Sequence, residues 1–325
     1  MIYVDRSGNR YASFDAAPAE LRCSLSDGSS TAFVFESDVM SMFVSSTGMV
    51  FVSLKGGLVL RSADRGKSFS PSLQLSHANS WIWFDHGITE TGRKELFAGE
   101  YGTVVDRKSG FQCVAFLYCS TDDGASWEVC DFLKREGVNK HVHMVRYCRT
   151  IDAVILTDGD NKKQLWIGRP MNGLSGLKHM KWRLTNRFHI QTGGYTALVE
   201  YRDKMVFGTD YMGGTNFIIE SHDGERLAKS ALPDPYRRCP ILGMALRSGK
   251  QGIEIWTVLH DSCFEGTKSL VMLSRDGGRS WIKAIEYDGS QYKVEIASSS
   301  STTMNELYVS AYDCAGGMAT FVVRD

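Results

Sequence analysis

The chain has no net charge to offer a polyanion: its 325 residues carry 37 basic and 37 acidic side chains. That balance argues against a general nucleic-acid binder, which needs a basic excess. No apolar run reaches the length of a membrane span. The start, Met1-Ile2-Tyr3-Val4-Asp5-Arg6, lacks the basic-then-apolar layout of a signal peptide. The eight cysteines, at 23, 113, 119, 130, 148, 239, 263 and 314, form no C-x-x-C and no paired motif. Free, mostly buried thiols in a reducing compartment are therefore expected, and with them a cytoplasmic location. A removed leader or a phage-particle protein would escape that argument. No long helix is legible, and no Pro/Ser-rich linker divides the chain.

What is present is a repeated turn. Ser62-Ala63-Asp64-Arg65-Gly66-Lys67-Ser68-Phe69, Ser120-Thr121-Asp122-Asp123-Gly124-Ala125-Ser126-Trp127 and Ser274-Arg275-Asp276-Gly277-Gly278-Arg279-Ser280-Trp281 share the form S-x-D-x-G-x-S-aromatic. A worn copy, Ser221-His222-Asp223-Gly224, has no aromatic after it. Asp can accept backbone amides just ahead of it, and Gly supplies a left-handed position. Each copy follows one apolar β run and precedes another, so each reads as a self-satisfied turn between antiparallel strands.

The turns resemble the Asp-box, or BNR, repeat of sialidase-like β-propellers. The resemblance implies an all-β propeller of four-stranded blades with the boxed turns on the face opposite the site. In that family the boxes are structural, so they argue for fold and not for chemistry. The family's sialidases also carry an arginine triad, a Tyr–Glu nucleophile pair, an acid/base Asp and an early Arg-Ile-Pro motif. Here Arg6, Arg10 and Arg22 are followed by Ser, Tyr and Cys, so the triad does not transfer.

The spacing of the turns sets a period of 50 to 60 residues, as expected for propeller blades. With strands A to D and the box in the C–D turn, the first blade reads from Met40 to Leu75 and the second from Trp81 to Phe132. The third runs from His141 to Leu184, the fourth from Thr196 to about Leu227 and the fifth from Ile241 to Glu286. The sixth, Val294 to Val323, lacks an outer strand, which Met1–Arg6 is expected to supply, closing one ring over residues 1–325. Six blades fit best; five or seven are the alternatives left by the unassigned residues 7–37.

The ends of the B strands carry Glu100-Tyr101, Asp158-Gly159-Asp160, Asp210-Tyr211, His260-Asp261 and Tyr312-Asp313. In a closed ring they would converge on one mouth. His141-Val142-His143 opens a strand nearest the axis, and alternation puts both imidazoles on one face. Either could serve as acid or base near neutral pH, or the two with Asp158 or Asp160 could hold a divalent metal; no other cofactor is implied. Asp85 and His86 lie deeper in the neighbouring blade, and Tyr195 begins the equivalent strand of another. The links between blades are basic or aromatic, Arg237 and Arg238 among them, which suits a carboxylate-bearing sugar.

The expected function is cleavage of a glycosidic bond in an anionic oligo- or polysaccharide. Glu100, His141, His143, Asp158, Asp160, Asp210 and His260 are the catalytic candidates. Tyr101, Tyr195, Tyr211, Arg237, Arg238, Asp261, Tyr312 and Asp313 are the substrate-binding ones. The alternatives are a polysaccharide lyase acting on a uronic acid by β-elimination, with His or Tyr as base, and a non-catalytic glycan- or protein-binding propeller.

Overall fold

The computed structural model describes residues 1–106, 110–159, 164–186, 194–262, 268–299 and 303–325. Two compact units divide the chain, Met1–Arg187 and Phe188–Asp325. Each is built from antiparallel sheets whose strands follow one another in chain order, as blades do.

The first unit holds four blades. Blade 1 comprises Ile2–Val4, Arg10–Phe14, Ala17–Ser24 and Ser30–Val34; blade 2 comprises Val39–Val44, Val50–Leu54, Leu58–Ser62 and Ser70–Gln74. Blade 3 has an interrupted A strand, Trp81–Ile82 and Ile88–Glu90, followed by Leu96–Tyr101, Leu117–Ser120 and Glu128–Cys130. A hairpin, Val104–Asp106 with Gly110–Gln112, stands in its B–C connection. Blade 4 comprises Val142–Cys148, Ala153–Asp158, Leu165–Pro170 and Met180–Asn186. The second unit holds blade 5 (Gly194–Tyr201, Lys204–Asp210, Phe217–Ser221, Ala228–Ala231) and blade 6 (Ile241–Gly249, Gly252–Leu259, Lys268–Ser274, Ile282–Asp288). Its last sheet, blade 7, has three strands, Tyr292–Ile296, Leu307–Asp313 and Met318–Val323.

The count is therefore seven blades, and the expectation of six is corrected. Residues 1–34, too polar and irregular to be read as a blade, form a complete one. The expected closing strand is part of it: Ile2 pairs with Ala12 and Val4 with Arg10, so Met1–Arg6 does not complete the last blade. The reason is local. Asp5 accepts the amides of Ser7 and Asn9, at 2.8 and 2.9 Å, and folds the chain back into a hairpin before it can travel.

The second strands of blades 2 to 5 are rich in apolar residues and buried. Val50, Val52, Leu96, Phe97, Ile155, Leu156, Val206 and Phe207 are among the least exposed side chains. Burying one such side chain contributes roughly 1.5–3 kcal/mol.

The boxed turns close as their sequence requires. In blade 3, Asp122 Oδ1 accepts the Ser120 hydroxyl (2.8 Å) and the Ser126 amide (2.9 Å), and Oδ2 accepts the Ser126 hydroxyl (2.6 Å). Ser120 Oγ also accepts the Gly124 amide at 2.8 Å. The same bonds recur around Asp64 and Asp276, and in shortened form around Asp223. The turn also locks a blade to its predecessor. Gly124, left-handed at φ 74°, lies against the Phe51 ring of blade 2, and the Trp127 indole donates to Ser72 Oγ at 3.0 Å.

The seven described cysteines form no disulfide with one another; Cys263 lies outside the described residues. No described helix is long and apolar enough to cross a membrane.

Candidate functional site

A shared irregularity prepares the inner strands for something other than regular pairing. In blades 2, 4, 5 and 6 the A strand carries a bulge near its start, where one residue has no opposite number: Met40, His143, Thr196 and Leu242. A bulge re-aims a side chain and sharpens the local twist. In blade 3 the same place holds a larger excursion. Ile82 pairs with Glu100 and Ile88 with Ala98, and the Gly99 amide donates to the Gly87 carbonyl at 2.8 Å, so Trp83 to His86 leave the ladder. The excursion closes on itself, Gly87 N–H donating to the Trp83 carbonyl at 2.9 Å. Asp85 takes a positive φ of 68° within it.

This excursion docks on the A strand of blade 4. The Val145 amide donates to the His86 carbonyl (2.6 Å), and Arg146 donates to the Asp85 carbonyl (2.9 Å). The Asp85 carboxylate lies 3.6 Å from both His86 Nδ1 and the Arg146 guanidinium. Burial pushes His86 down to about 4; the Asp85 carboxylate opposes that shift and Arg146 adds to it.

One consequence is a cluster of five rings. Trp81 and Tyr101 are directly opposed across blade 3, with centroids 5.0 Å apart. Trp83 packs on Tyr101 at 4.3 Å and stands edge-on to His143 at 5.3 Å. Tyr101 lies 4.2 Å from His141, and the two imidazoles stack at 5.1 Å, 19° from parallel. Trp81, Trp83 and Tyr101 are half-buried; His141 and His143 are buried, at 1% and 2% exposure. His141 Nδ1 is 2.6 Å from the Gly102 carbonyl. A carbonyl can only accept, so Nδ1 carries the proton and, in the neutral ring, Nε2 carries the lone pair. Gly159 lies against both Nε2 edges: a methyl there would fall 2.6 Å from His141 Nε2 and nearer still to His143.

Of the candidates read from the sequence, Tyr101, His141, His143 and the Asp158-Gly159 strand end come together here. Asp158 is wholly buried opposite Val142, and its Oδ1 accepts the Gln164 amide. Asp160 lies outside the described residues. Glu100 does not face the rings. It alternates with Tyr101 along the strand, and its carboxylate accepts the Ser76 amide (3.1 Å), the Ser76 hydroxyl (2.7 Å) and the Tyr118 hydroxyl (2.6 Å). Three donors make it an anchor between the blade 2–3 link and strand C. Among the described residues, no group of three or more His, Cys, Asp or Glu side chains is arranged to hold a metal ion.

The candidates of the second unit are engaged locally. Asp210 accepts the Gly194 amide at 3.0 Å across the end of blade 5. The loop after Tyr211 is held by the buried Asn216, whose Nδ2 donates to the Tyr211 carbonyl at 3.1 Å. Tyr195 is fully buried, edge-on to Phe207 at 5.8 Å, and belongs to the core. His260 stacks on Tyr287 with Nδ1 3.3 Å from its hydroxyl, and burial lowers its pKa. The backbone amide of Asp261 donates to Ser269 Oγ. Arg237 pairs with Asp234 at 3.5 Å in an exposed turn that also carries Arg238. Tyr312 pairs with Met318 across blade 7, and Asp313 accepts the Ala315 and Gly317 amides beyond it.

The sequence reading missed Trp83 as part of the cluster. The signal available was the aromatic run Trp81-Ile82-Trp83-Phe84 just before Asp85-His86, which fits no regular strand alternation.

No protein-family model and no curated protein sequence matches the chain. Solved structures do match in shape. A streptogramin B lyase superposes with a TM-score of 0.60 at 14% identity, over 99% of this chain and 92% of the other. An inactive His→Ala variant of virginiamycin B lyase from Staphylococcus aureus, solved with quinupristin, gives 0.60 at 14%, over 98% and 92%. A Trypanosoma rangeli sialidase gives 0.51 at 12%, over 97% of this chain and 59% of the sialidase. Likeness at such identity shows the fold alone: a β-propeller of seven blades.

Proposed function

We propose that the ring cluster of blades 3 and 4 is a carbohydrate-binding site, and that the chain acts on an acidic oligo- or polysaccharide. The observation that carries this reading is the contiguous patch of half-buried Trp81, Trp83 and Tyr101 backed by two stacked imidazoles. Aromatic faces bearing a polar edge suit sugar rings, which present apolar C–H faces and hydroxyl rims.

The test is a titration of intrinsic tryptophan fluorescence with a panel of acidic and neutral oligosaccharides. A saturable change that disappears in Trp83→Ala supports the site. Silence across the whole panel, with the fold intact, ends the reading.

Turnover is the second reading, and the place of Tyr101 at the half-buried face of the cluster favours elimination over hydrolysis. Hydrolysis needs two carboxylates about 5–9.5 Å apart across the bond. Glu100 is already saturated by Ser76 and Tyr118, and Asp158 is tied to Gln164. Tyr101, half-buried beside the buried His141, is the ring able to reach the proton α to a carboxylate, and the same phenol can return that proton to the leaving oxygen. β-Elimination creates a C=C bond conjugated to the carboxylate, so product absorbance near the ultraviolet edge separates it from hydrolysis. New reducing ends without that absorbance would reverse the preference.

A further inference from the structure

Of the three half-buried rings, two are fixed by the ladder of blade 3 and one is not. Trp81 and Tyr101 are directly paired residues of neighbouring strands. Trp83 rides on the excursion Trp83 to His86, which polar contacts to blade 4 hold in place. The Val145 amide donates to the His86 carbonyl at 2.6 Å, and the Arg146 guanidinium donates to the Asp85 carbonyl at 2.9 Å. Both donors lie on the strand that carries the stacked imidazoles. Asp85 is kept at φ 68°, a left-handed position that a residue with a Cβ holds when its surroundings impose it. His86 is the buried titratable group of this segment. Its side chain is 4% exposed, and its Nδ1 has no hydrogen-bond partner. Among the described residues the charged groups that face it are Asp85, on its own segment, and Arg146, from blade 4. The one carboxylate lies 3.6 Å from both the imidazole and the guanidinium. A neutral ring is accommodated there. A protonated ring would set two cations on one carboxylate, away from water, and burial opposes that.

We propose that the excursion is a proton-operated clasp on the ring cluster: when His86 takes up a proton from solvent, the clasp opens and carries Trp83 away from Tyr101 and His143. As regulation of a binding surface this rests on the reading of the cluster given above; as a motion of the chain it stands without it. Opening lets the imidazolium reach water and leaves the Asp85 carboxylate to Arg146 alone. Trp83 has no ladder pairing of its own and is two residues from Asp85, so it moves with them. Trp81 and Tyr101 stay, because the ladder holds them. The patch then loses one of its three half-buried rings, and with it contact area for the apolar face of a sugar. The sign follows from the ring's preference for neutrality in the closed form. An ordinary imidazole takes its proton near 6.5 and this one near about 4, so the clasp is closed at neutral pH and opening becomes up to roughly fiftyfold more favourable between pH 7 and 4.5. Acid releases what neutral pH holds.

Amide exchange on the full chain, corrected for the intrinsic pH dependence of exchange, reads the opening without any sugar. Between pH 7 and 4.5 the protection of the Val145 amide, which the His86 carbonyl holds, is expected to fall at least tenfold, while the amides of Val50–Leu54 in blade 2 keep theirs. Acrylamide quenching supplies the second readout. Trp83, isolated as the difference between the wild type and Trp83→Phe, should become more accessible over the same interval. In His86→Gln, whose side chain takes no proton, both signals should be flat. A Val145 amide whose protection does not fall overturns the proposal, and so does an equal loss at Val50–Leu54, which would mean that the whole fold opens. Both outcomes are read on the wild type, so the proposal is refutable even if His86→Gln does not fold. A fall as steep in His86→Gln as in the wild type also overturns it, since another group would then be the proton acceptor. If the clasp opens but no sugar binds at any pH, the binding reading fails and the clasp remains.

Discussion

His141 and His143 lie one on the other, ring centroids 5.1 Å apart, with Gly159 pressed against the Nε2 edge of both. Only a residue without a Cβ fits there. Gly159→Ala is expected to push both imidazoles off their positions at a cost of about 1–3 kcal/mol, the range for overpacking a filled site. Urea denaturation measures the loss. The ligand response in tryptophan fluorescence should fall with it, because the rings that report are the rings displaced.

Glu100 is the position at which anchoring and catalysis predict opposite outcomes. As a catalytic carboxylate, its replacement by Gln would abolish turnover and leave stability nearly unchanged. As the acceptor of three hydrogen bonds it does the reverse. Glu100→Gln should destabilise the fold by about 1–3 kcal/mol, the scale of a buried bond to a charged group. Sugar binding at Trp83 should persist in the folded fraction. Denaturation and fluorescence titration on one sample distinguish the two.

The blades were legible where a boxed turn announced them. Ser62–Phe69, Ser120–Trp127 and Ser274–Trp281 set the period, and the apolar runs around them became strands within about three residues. Blade 1 was not legible because it has no such turn, and its third strand, Ala17–Ser24, mixes Pro, Glu and Arg with its apolar residues. The site was legible in part. His141 and His143 stand out by spacing, and Tyr101 by its place at a strand end. The capture of Glu100 by Ser76 and Tyr118 was not legible, since those donors are 24 and 18 residues away along the chain and only the sheet brings them near. Alternation alone would not have paired the two imidazoles reliably either, because the bulge at His143 interrupts it.

The two imidazoles raise the question of a metal. If the cluster binds sugar through its rings, chelation should leave the fluorescence titration unchanged, and Trp83→Ala should weaken it by about 1–3 kcal/mol, the scale of an aromatic face lost from a binding site. Loss of binding on dialysis against a chelator, restored by zinc or manganese alone, would instead make His141 and His143 ligands.

Asp122 links the boxed turn to acid stability. The Ser126 hydroxyl and amide, with the Ser120 hydroxyl, hold its carboxyl down to about 2. A folded-state value below the unfolded one contributes stability that is complete above about pH 4 and is lost as pH falls toward 2. The turn is solvent-exposed, so screening reduces the contribution to about 1 kcal/mol. Asp122→Asn should therefore lose about that much at pH 7 and nothing at pH 2, read from urea midpoints at the two values.

His86 gives a second window, at higher pH, with the same sign for a different reason. Burial beside the Arg146 guanidinium holds it at about 4, against an ordinary value of 6.5, and the Asp85 carboxylate only partly offsets this. The unfolded chain therefore binds a proton between pH 6.5 and 4 that the folded chain refuses. Stability from the neutral ring is fully present above pH 6.5 and drains away as pH falls through that interval, by about 3 kcal/mol at one pKa unit per 1.36 kcal/mol. His86→Gln removes the titrating group but leaves the His86 backbone carbonyl that receives the Val145 amide. The variant should be less stable than the wild type at pH 7, and its urea midpoint should change little between pH 6.5 and 4, where the wild type falls. Equal slopes in the two proteins over that interval would mean that His86 is protonated in the folded state. The excursion of blade 3 would then carry a charged, not a neutral, imidazole against Arg146.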